Sequence, residues 1–171
     1  MNLDRDRIRD AADIVRDRLS LCVPISLDTL RDTIVEKLPG RCIPVDKDTL
    51  DADAQIRTLD HTRFEIRYLN DRPTTRTLFS ISHELGHLFL HLLQMDGTLR
   101  QAVCNRDLAQ NHQEAEANEF AAVFLMPEDA FISKCHEYEH ENKVNVTKVA
   151  EYFNVSVRAA TVRGSVLGLW W

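Results

Sequence analysis

Hydrophobic residues recur at helical spacing through the first forty residues of the chain. Ile8, Ala12 and Val15 would lie on one face of a first helix whose other face is charged. A second helix is predicted to begin after Ser26, a favourable N-cap, and to end before the Pro-Gly pair at 39–40. Its buried face would hold the apolar residues Leu27, Leu30, Ile34 and Leu38.

The pattern changes to alternation between residues 41 and 69, where Asp-rich turns separate short apolar runs. The predicted strands cover residues 42–45, 55–59 and 63–69. The third is the clearest, because Phe64, Ile66 and Tyr68 alternate with charged residues. Residues 60–62 would be the turn that joins the last two strands. These strands are predicted to form a small antiparallel sheet.

From Thr75 onward the apolar positions follow helical periodicity. The predicted helices cover residues 75–93, 113–126, 128–140, 146–153 and 157–167. The last two would pair as a helical hairpin at about 145–168, with Ser156 capping the second helix and Phe153 in the core. The second helix would turn its apolar residues inward, namely Ala159, Val162 and Val166. No domain boundary is visible, so residues 1–171 are predicted to form one α+β domain.

Residues 83–87, His-Glu-Leu-Gly-His, carry the candidate chemistry. Because residues four apart lie on one face of a helix, His83 and His87 can direct imidazole nitrogens to one metal ion. Glu84 lies beside that face, where a carboxylate can take a proton from a water molecule bound to zinc. Gly86 is a poor helix former, and its missing side chain permits close approach of backbone or substrate.

Two stripes divide this helix. One stripe carries Arg76, Phe79 and Ser80 together with the two histidines. The opposite stripe is apolar and is predicted to face the core through Leu78, Ile81, Leu85, Leu88 and Leu92. A motif that occurs by chance on a solvated helix would have mostly polar neighbours, so this apolar setting favours a functional site.

A catalytic zinc site has three protein ligands and one open position, so another segment must supply the third ligand. Residues 113–122 offer Glu114 and Glu116. Glu114 shares a stripe with small residues that would let its helix pack closely on the motif helix, and this geometry favours Glu114 over Glu116. The alternative for both is a solvated acidic face. His91 is interpreted either as a residue that supports the metal ligands or as a packed, hydrogen-bonded histidine.

Three stretches resemble the ImmA/IrrE-type metallo-endopeptidase family. They are residues 76–87, residues 114–121 running on to Leu-Met-Pro at 125–127, and residues 149–156. The resemblance implies a gluzincin-like α+β fold and one zinc ion held by His83, His87 and Glu114, with Glu84 as the general base. It also implies a protein substrate, often a helix-turn-helix repressor whose cleavage switches on genes. Longer members carry an added sensor-like domain, and we expect none here.

Other polar residues are candidates for contacts to the metal ligands or to the substrate. They are Arg76, His91, Asn118, Tyr68 and His112. All of these except Asn118 are also candidates to stabilise the transition state, and the residues themselves do not distinguish among them.

The net charge of the chain is −6, which disfavours non-specific binding to nucleic-acid phosphates. The closing hairpin has the outline of a helix-turn-helix, but its second helix offers only Arg158 and Arg163 as basic residues. DNA binding is therefore not expected, and alanine at either arginine should affect folding little. No oligomeric state is predicted.

The charged first residues lack the apolar stretch of a secretory signal, and no run approaches the roughly 20 apolar residues of a membrane span. The protein is therefore expected in the cytoplasm, without contact to a membrane. In that reducing compartment the four cysteines should be free thiols, because they form no Cys-x-x-Cys pair. They are Cys22, Cys42, Cys104 and Cys135.

These patterns together predict a zinc-dependent endopeptidase that acts on another protein, with Glu84 activating a zinc-bound water. The alternative is a regulatory binding module that holds a repressor, or DNA, without proteolysis. The presence of Glu84 favours the enzyme, because a structural zinc site needs no base.

Overall fold

The computed structural model describes residues 4–100 and 108–170 of the chain. Its helices are α1 (Arg5–Arg18), α2 (Leu27–Lys37), α3 (Thr74–His87), α4 (Leu108–Leu125), α5 (Glu128–Glu137), α6 (Val146–Tyr152) and α7 (Val157–Val166). Its strands are β1 (Gly40–Val45), β2 (Ala54–Thr58), β3 (Phe64–Leu69), β4 (Glu139–His140) and β5 (Lys143–Val144). The chain has the predicted α+β fold, with the first three strands in one sheet and the helices around it.

Side-chain caps start the helices where the sequence predicts them. The Ser26 hydroxyl accepts a hydrogen bond of 3.1 Å from the backbone N–H of Thr29 at the start of α2. Ser156 makes the same contact with Ala159, also at 3.1 Å, at the start of α7. Each cap satisfies one of the N–H groups that the first helical turn leaves without a partner.

The three-stranded sheet is mixed, and the prediction of an antiparallel sheet is correct for only one of its two pairings. Strand β2 pairs antiparallel with β3, but β1 pairs parallel with β3, so β3 is central. Glu65 on β3 contacts both neighbouring strands. Its buried carboxylate lies 3.0 Å from Arg41 on β1 and 3.6 Å from Arg57 on β2. This cross-strand row of opposite charges stabilises the order in which β3 separates the other two strands.

The motif helix is regular only as far as His87. A π-helical turn, Leu88–Leu92, follows it, so the predicted continuous helix over 75–93 changes its winding directly after the motif. The N–H of Leu93 donates to the carbonyl of Leu88 at 2.8 Å, the spacing of five residues that defines this winding. Turns of this type are frequent at functional sites.

The apolar stripe of α3 faces the core as predicted. Leu78, Ile81 and Leu85 are fully buried. On the neighbouring side, α3 packs closely against α4 at Gly86, where an added Cβ would lie 3.0 Å from Cα of Ala117. The small residues at this crossing therefore set the distance between the two helices.

A short hairpin replaces the end of a predicted helix. The helix predicted over 128–140 ends at Glu137, and β4 then turns back to pair with β5. Glu141 and Asn142 form the turn with φ values of 50° and 61°. Two successive residues with positive φ suit a tight hairpin turn, but the segment has none of the glycines that usually reveal one.

The closing hairpin packs through α6 as expected, with Val149 and Phe153 fully buried. Its second helix is rotated relative to the prediction. Ala160, Arg163 and Gly164 are the buried residues of α7, whereas Val162 is 55% exposed. The predicted inward orientation is therefore wrong for Val162 and Val166, whereas Ala159 is partly buried against the core. The helix is rotated because Arg163 and Gly164 have specific partners in the interior.

The partners of Arg163 lie on α4 and directly after its end, and the partner of Gly164 lies after α7. The Arg163 Nε donates to the Met126 carbonyl at 3.1 Å, and its Nη1 lies 3.7 Å from a carboxylate oxygen of Glu119. Gly164 leaves space for Trp170, whose ring would lie 1.8 Å from an added Cβ. We therefore revise the expectation that alanine at Arg163 leaves folding unaffected.

The cysteines that the structure describes, Cys22, Cys42 and Cys135, are free thiols as predicted. Cys104 and Trp171 lie outside the described residues. Across residues 4–100 and 108–170, none of the helices combines the length and the apolar character that a membrane crossing requires.

Candidate metal centre

Two neighbouring helices bring three potential metal ligands together. His83 and His87 on α3 point their Nε2 atoms at each other, 3.0 Å apart. Glu114 on α4 places its two carboxylate oxygens 3.2 Å from His83 Nε2 and 3.3 Å from His87 Nε2. Ligand atoms of these three residues lie within 4.8 Å of one another, so the cluster could hold a metal ion.

The electrostatics of the site keep both histidines neutral. Burial lowers the pKa of His87 to about 3, with further lowering from the neighbouring His83 and His91. Burial also lowers the pKa of His83, although the Glu114 carboxylate opposes the change. A neutral imidazole has a free nitrogen lone pair, which is the form that binds a metal.

The outer nitrogen of each histidine has a hydrogen-bond partner. His83 Nδ1 lies 3.1 Å from the side-chain oxygen of Asn118, and His87 Nδ1 lies 3.1 Å from Nδ1 of His91. His91 in turn contacts Glu116, with 2.9 Å between His91 Nε2 and Oε2 of the carboxylate. The structure thus brings the candidates Asn118 and His91 to the site, and it places Glu116 behind His91 rather than among the three clustered ligands.

Glu84 lies beside the cluster and is buried against the sheet. Its Oε2 accepts a hydrogen bond of 2.8 Å from the backbone N–H of Ile56 on β2. Burial raises the pKa of Glu84 to about 7, while the Ile56 hydrogen bond opposes the rise and the nearby Glu114 adds to it. A carboxylate whose pKa is near 7 is suited to exchange a proton at neutral pH.

The cluster opens onto a cleft of about 1460 Å³. Its walls come from the edge strand β2, the motif stripe of α3, one face of α4 and the exposed face of α7. Arg76 lines its rim and is paired with Asp53, which also accepts a hydrogen bond of 2.8 Å from Arg72. Small-molecule sites typically occupy about 300–1,000 Å³, so the cleft is large enough for a polypeptide segment.

Two sequence candidates do not join the site. Tyr68 is buried on the central strand, where the guanidinium of Arg31 lies 5.7 Å from the centre of its ring. His112 is exposed on α4 and is not among the described residues that line the cleft. Arg76, Asn118 and His91 remain as the candidates that line the cleft, and Asn118 and His91 also contact the ligand histidines.

Sequence reasoning missed the contributions of Ile56, Asp53 and the α7 face. The role of Ile56 rests on a backbone N–H, which every residue except proline has, so no side-chain pattern could indicate it. Asp53 lies in an Asp-rich segment whose composition indicates only an ordinary turn. The orientation of α7 depends on Arg163, a residue type that is almost never fully buried unless it is paired.

The fold and the site together define an α+β protein whose central helix and its neighbour provide a two-histidine, one-carboxylate cluster. The family model of the IrrE N-terminal-like domain, Peptidase_M78, matches residues 45–165, and the chain belongs to this family. The resemblance stated from the sequence is thereby confirmed, and the family indicates a metallopeptidase-like function.

One similar solved structure is described as a "Mycobacterium tuberculosis transcriptional regulator". It matches with a TM-score of 0.69 and 14% identity over 94% of this chain and 46% of that one. At this identity the likeness concerns the fold alone, and the present chain spans less than half of that structure. Among curated proteins, none matches the sequence.

Proposed function

We propose that the protein is a zinc-dependent endopeptidase that hydrolyses peptide bonds in another protein. The observation that carries this proposal is the His83–His87–Glu114 cluster beside a buried Glu84, inside a cleft wide enough for a polypeptide. Membership of a peptidase family supports the same reaction class.

The donor set fits zinc. Two imidazole nitrogens and one carboxylate are a common ligand set of catalytic zinc sites, and here all three point to one place. When bound there, zinc would polarise the scissile carbonyl and lower the pKa of water. His83, His87 and Glu114 would hold it, and the hydrogen bond from His83 to Asn118 would orient one imidazole.

Glu84 is assigned the role of general base. Its carboxylate is anchored through one oxygen by Ile56, which leaves the other oxygen to accept a proton from water. The burial that raises its pKa to about 7 makes proton uptake favourable at the moment of attack. The same group can then return the proton to the departing amine.

The substrate segment is proposed to bind as an extended strand along β2. This strand is at the edge of the sheet, and Ala54, Gln55 and Ile56 line the cleft beside the cluster. Addition of a peptide to a sheet edge provides main-chain hydrogen bonds without requiring one particular sequence. Side-chain preference would then come from the opposite wall.

That opposite wall contains an apolar patch beside Arg158. Val162 and Val166 of α7 line the cleft and are more than a third exposed, and Phe79 and Ala122 also line it. A substrate side chain that contacts these residues would gain stabilisation from burying apolar surface. We therefore propose a preference for aliphatic or aromatic residues in the bound segment.

A charge in this wall should weaken catalysis without affecting folding. We expect Val162→Lys to reduce kcat/KM for a protein substrate by about tenfold or more, because losing a few buried methylenes typically has effects of this size. The matched control is Val35→Lys on α2, which is also exposed but does not line the cleft. Steady-state cleavage assays that give equal rates for the two variants would contradict the proposed subsite.

Metal binding has its own test. Glu114→Ala should weaken zinc binding by roughly 100-fold or more, beyond the effect typical of losing a residue that only supports a ligand. His112→Ala, an exposed neighbour on the same helix, should bind zinc like the wild type. Competition with a chromogenic chelator would measure both affinities, and unchanged binding by Glu114→Ala would exclude the assigned third ligand.

The proposed substrate is a helix-turn-helix transcriptional repressor, as the family resemblance implies. The decisive experiment incubates the zinc-loaded protein with helix-turn-helix repressors from the same organism and maps the fragments by mass spectrometry. Defined fragments that disappear when a chelator removes the zinc are expected. Absence of cleavage with tight complex formation would instead support the alternative of a regulatory binding module.

A further inference from the structure

His91 and Glu116 lie outside the clustered ligands but are joined to them by consecutive hydrogen bonds. His91 Nδ1 lies 3.1 Å from Nδ1 of His87, and His91 Nε2 lies 2.9 Å from Oε2 of Glu116. Both side chains are 9% exposed, so water competes little for these contacts. We propose that His91 and Glu116 are positioning residues that fix the tautomer of His87 and strengthen it as a metal ligand. This inference rests on the proposed zinc site.

The direction of the hydrogen bonds follows from the inventory of donors. An ionised carboxylate only accepts, so His91 must donate to Glu116 from Nε2. In neutral His91 the remaining nitrogen, Nδ1, can then only accept, and the donor to it must be Nδ1–H of His87. His87 is left with a lone pair on Nε2, the atom that faces His83 and Glu114.

The two ligand histidines are supported by different chemistry. His83 donates from Nδ1 to the neutral amide oxygen of Asn118, whose side chain is exposed. His87 donates to His91, which donates in turn to the buried carboxylate of Glu116. Hydrogen bonds to a charged acceptor are about twice as strong as neutral ones, and a low local dielectric strengthens them further. The charge of Glu116 thus strengthens the hydrogen bond that holds His91, and His91 in turn holds the Nδ1–H of His87 in place.

A purely structural link between the two helices explains this arrangement less well. Removing a carboxylate and an imidazole from water costs free energy, and apolar residues of similar volume often hold helices together as well or better. Glu116 is nevertheless buried, and it lies two residues from Glu114 on the helix that supplies the third ligand. The buried His91–Glu116 pair therefore lies where its charge and hydrogen bonds can act on His87.

The test uses a graded series at Glu116 in the full-length protein. Glu116→Gln keeps an oxygen that can accept from His91 but removes the charge, and Glu116→Ala removes the acceptor altogether. We expect zinc affinity to fall by roughly 10–100-fold in the alanine variant and by a smaller factor in the glutamine variant. The control is Glu151→Gln, which removes an exposed charge on α6 and should leave zinc affinity unchanged.

A second measurement reports the tautomer directly. Long-range ¹H–¹⁵N NMR of metal-free wild-type protein should show His87 protonated at Nδ1, and Glu116→Ala should show a mixture of tautomers while Glu116→Gln does not. A structural role would change thermal stability without moving these ¹⁵N shifts. If the alanine variant does not fold, the zinc affinity of the glutamine variant and the NMR spectrum of the wild type still test the positioning role.

The outcomes separate this inference from the proposed function. Wild-type His87 protonated at Nε2, or zinc affinities that are equal in all variants, would overturn the positioning role. If the wild type binds no zinc at all, the proposed endopeptidase function fails, and the NMR tautomer of His87 in the metal-free protein still tests whether His91 and Glu116 fix that tautomer.

Discussion

Replacing Glu84 with glutamine is expected to reduce peptide-bond cleavage by about 10²–10⁴-fold, the usual contribution of a general base. Glutamine has the size of glutamate, and its amide oxygen can still accept the hydrogen bond from the backbone N–H of Ile56. It cannot take up a proton from water. The variant should therefore keep its fold and its zinc and lose the chemical step.

The measurement combines three readouts on the same preparation: zinc content, binding of the repressor and the rate of fragment formation under single-turnover conditions. Normal zinc content and binding with a slowed rate are expected, and the variant should accumulate as a complex with its substrate. Glu151→Gln, an exposed charge removal, serves as the control. If Glu84→Gln relieves repression as well as the wild type does, proteolysis is not needed and the binding-module alternative is correct.

Truncation of Phe153 to alanine should lower the free energy of unfolding by roughly 3–5 kcal/mol. The side chain is fully buried between α5 and the closing hairpin, where its ring stacks on Phe131 with 5.7 Å between centroids. It also packs edge-to-face against Tyr152 at 4.9 Å. Since domains are stable by only about 5–15 kcal/mol, the variant should lose a large share of its total stability.

Urea denaturation followed by circular dichroism would measure this effect. Phe153→Leu should lose clearly less stability, because leucine leaves a smaller cavity than alanine. Arg158→Ala should remain within about 0.5 kcal/mol of the wild type, since Arg158 is exposed on α7. A loss below about 1 kcal/mol for Phe153→Ala would show that the closing hairpin is not part of the cooperative core.

The parts of the fold that follow from local periodicity could be predicted from the sequence. The buried face of α3 follows from Leu78, Ile81 and Leu85 alone, because helical spacing fixes which residues share a face. The same geometry separates Glu114, which reaches the cluster, from Glu116, which does not. Two residues along a helix differ by more than a right angle in direction, so this choice required no tertiary information.

Features that depend on distant partners could not be predicted in this way. The central position of β3 is stabilised by contacts of Glu65 with Arg41 and Arg57 on two different strands, and no single strand contains that information. The rotation of α7 depends on the pairing of Arg163 with Glu119, 44 positions earlier in the chain. In both cases a charged residue, which a periodicity argument assigns to the surface, is buried by partners from elsewhere.

Gly86 shows that helix stability and site geometry have opposite requirements at one position. Within a helix, glycine is about 1 kcal/mol less favourable than alanine, so a search for stabilising substitutions would choose this residue first. There is no room for a side chain at this position, however, because an added Cβ would also lie 3.1 Å from the Ala117 carbonyl oxygen. Relieving that contact would separate α3 from α4, and with them the two histidines from Glu114. Local instability of the motif helix is thus a condition for assembling the three ligands, and evolution toward higher stability has to proceed elsewhere in the chain.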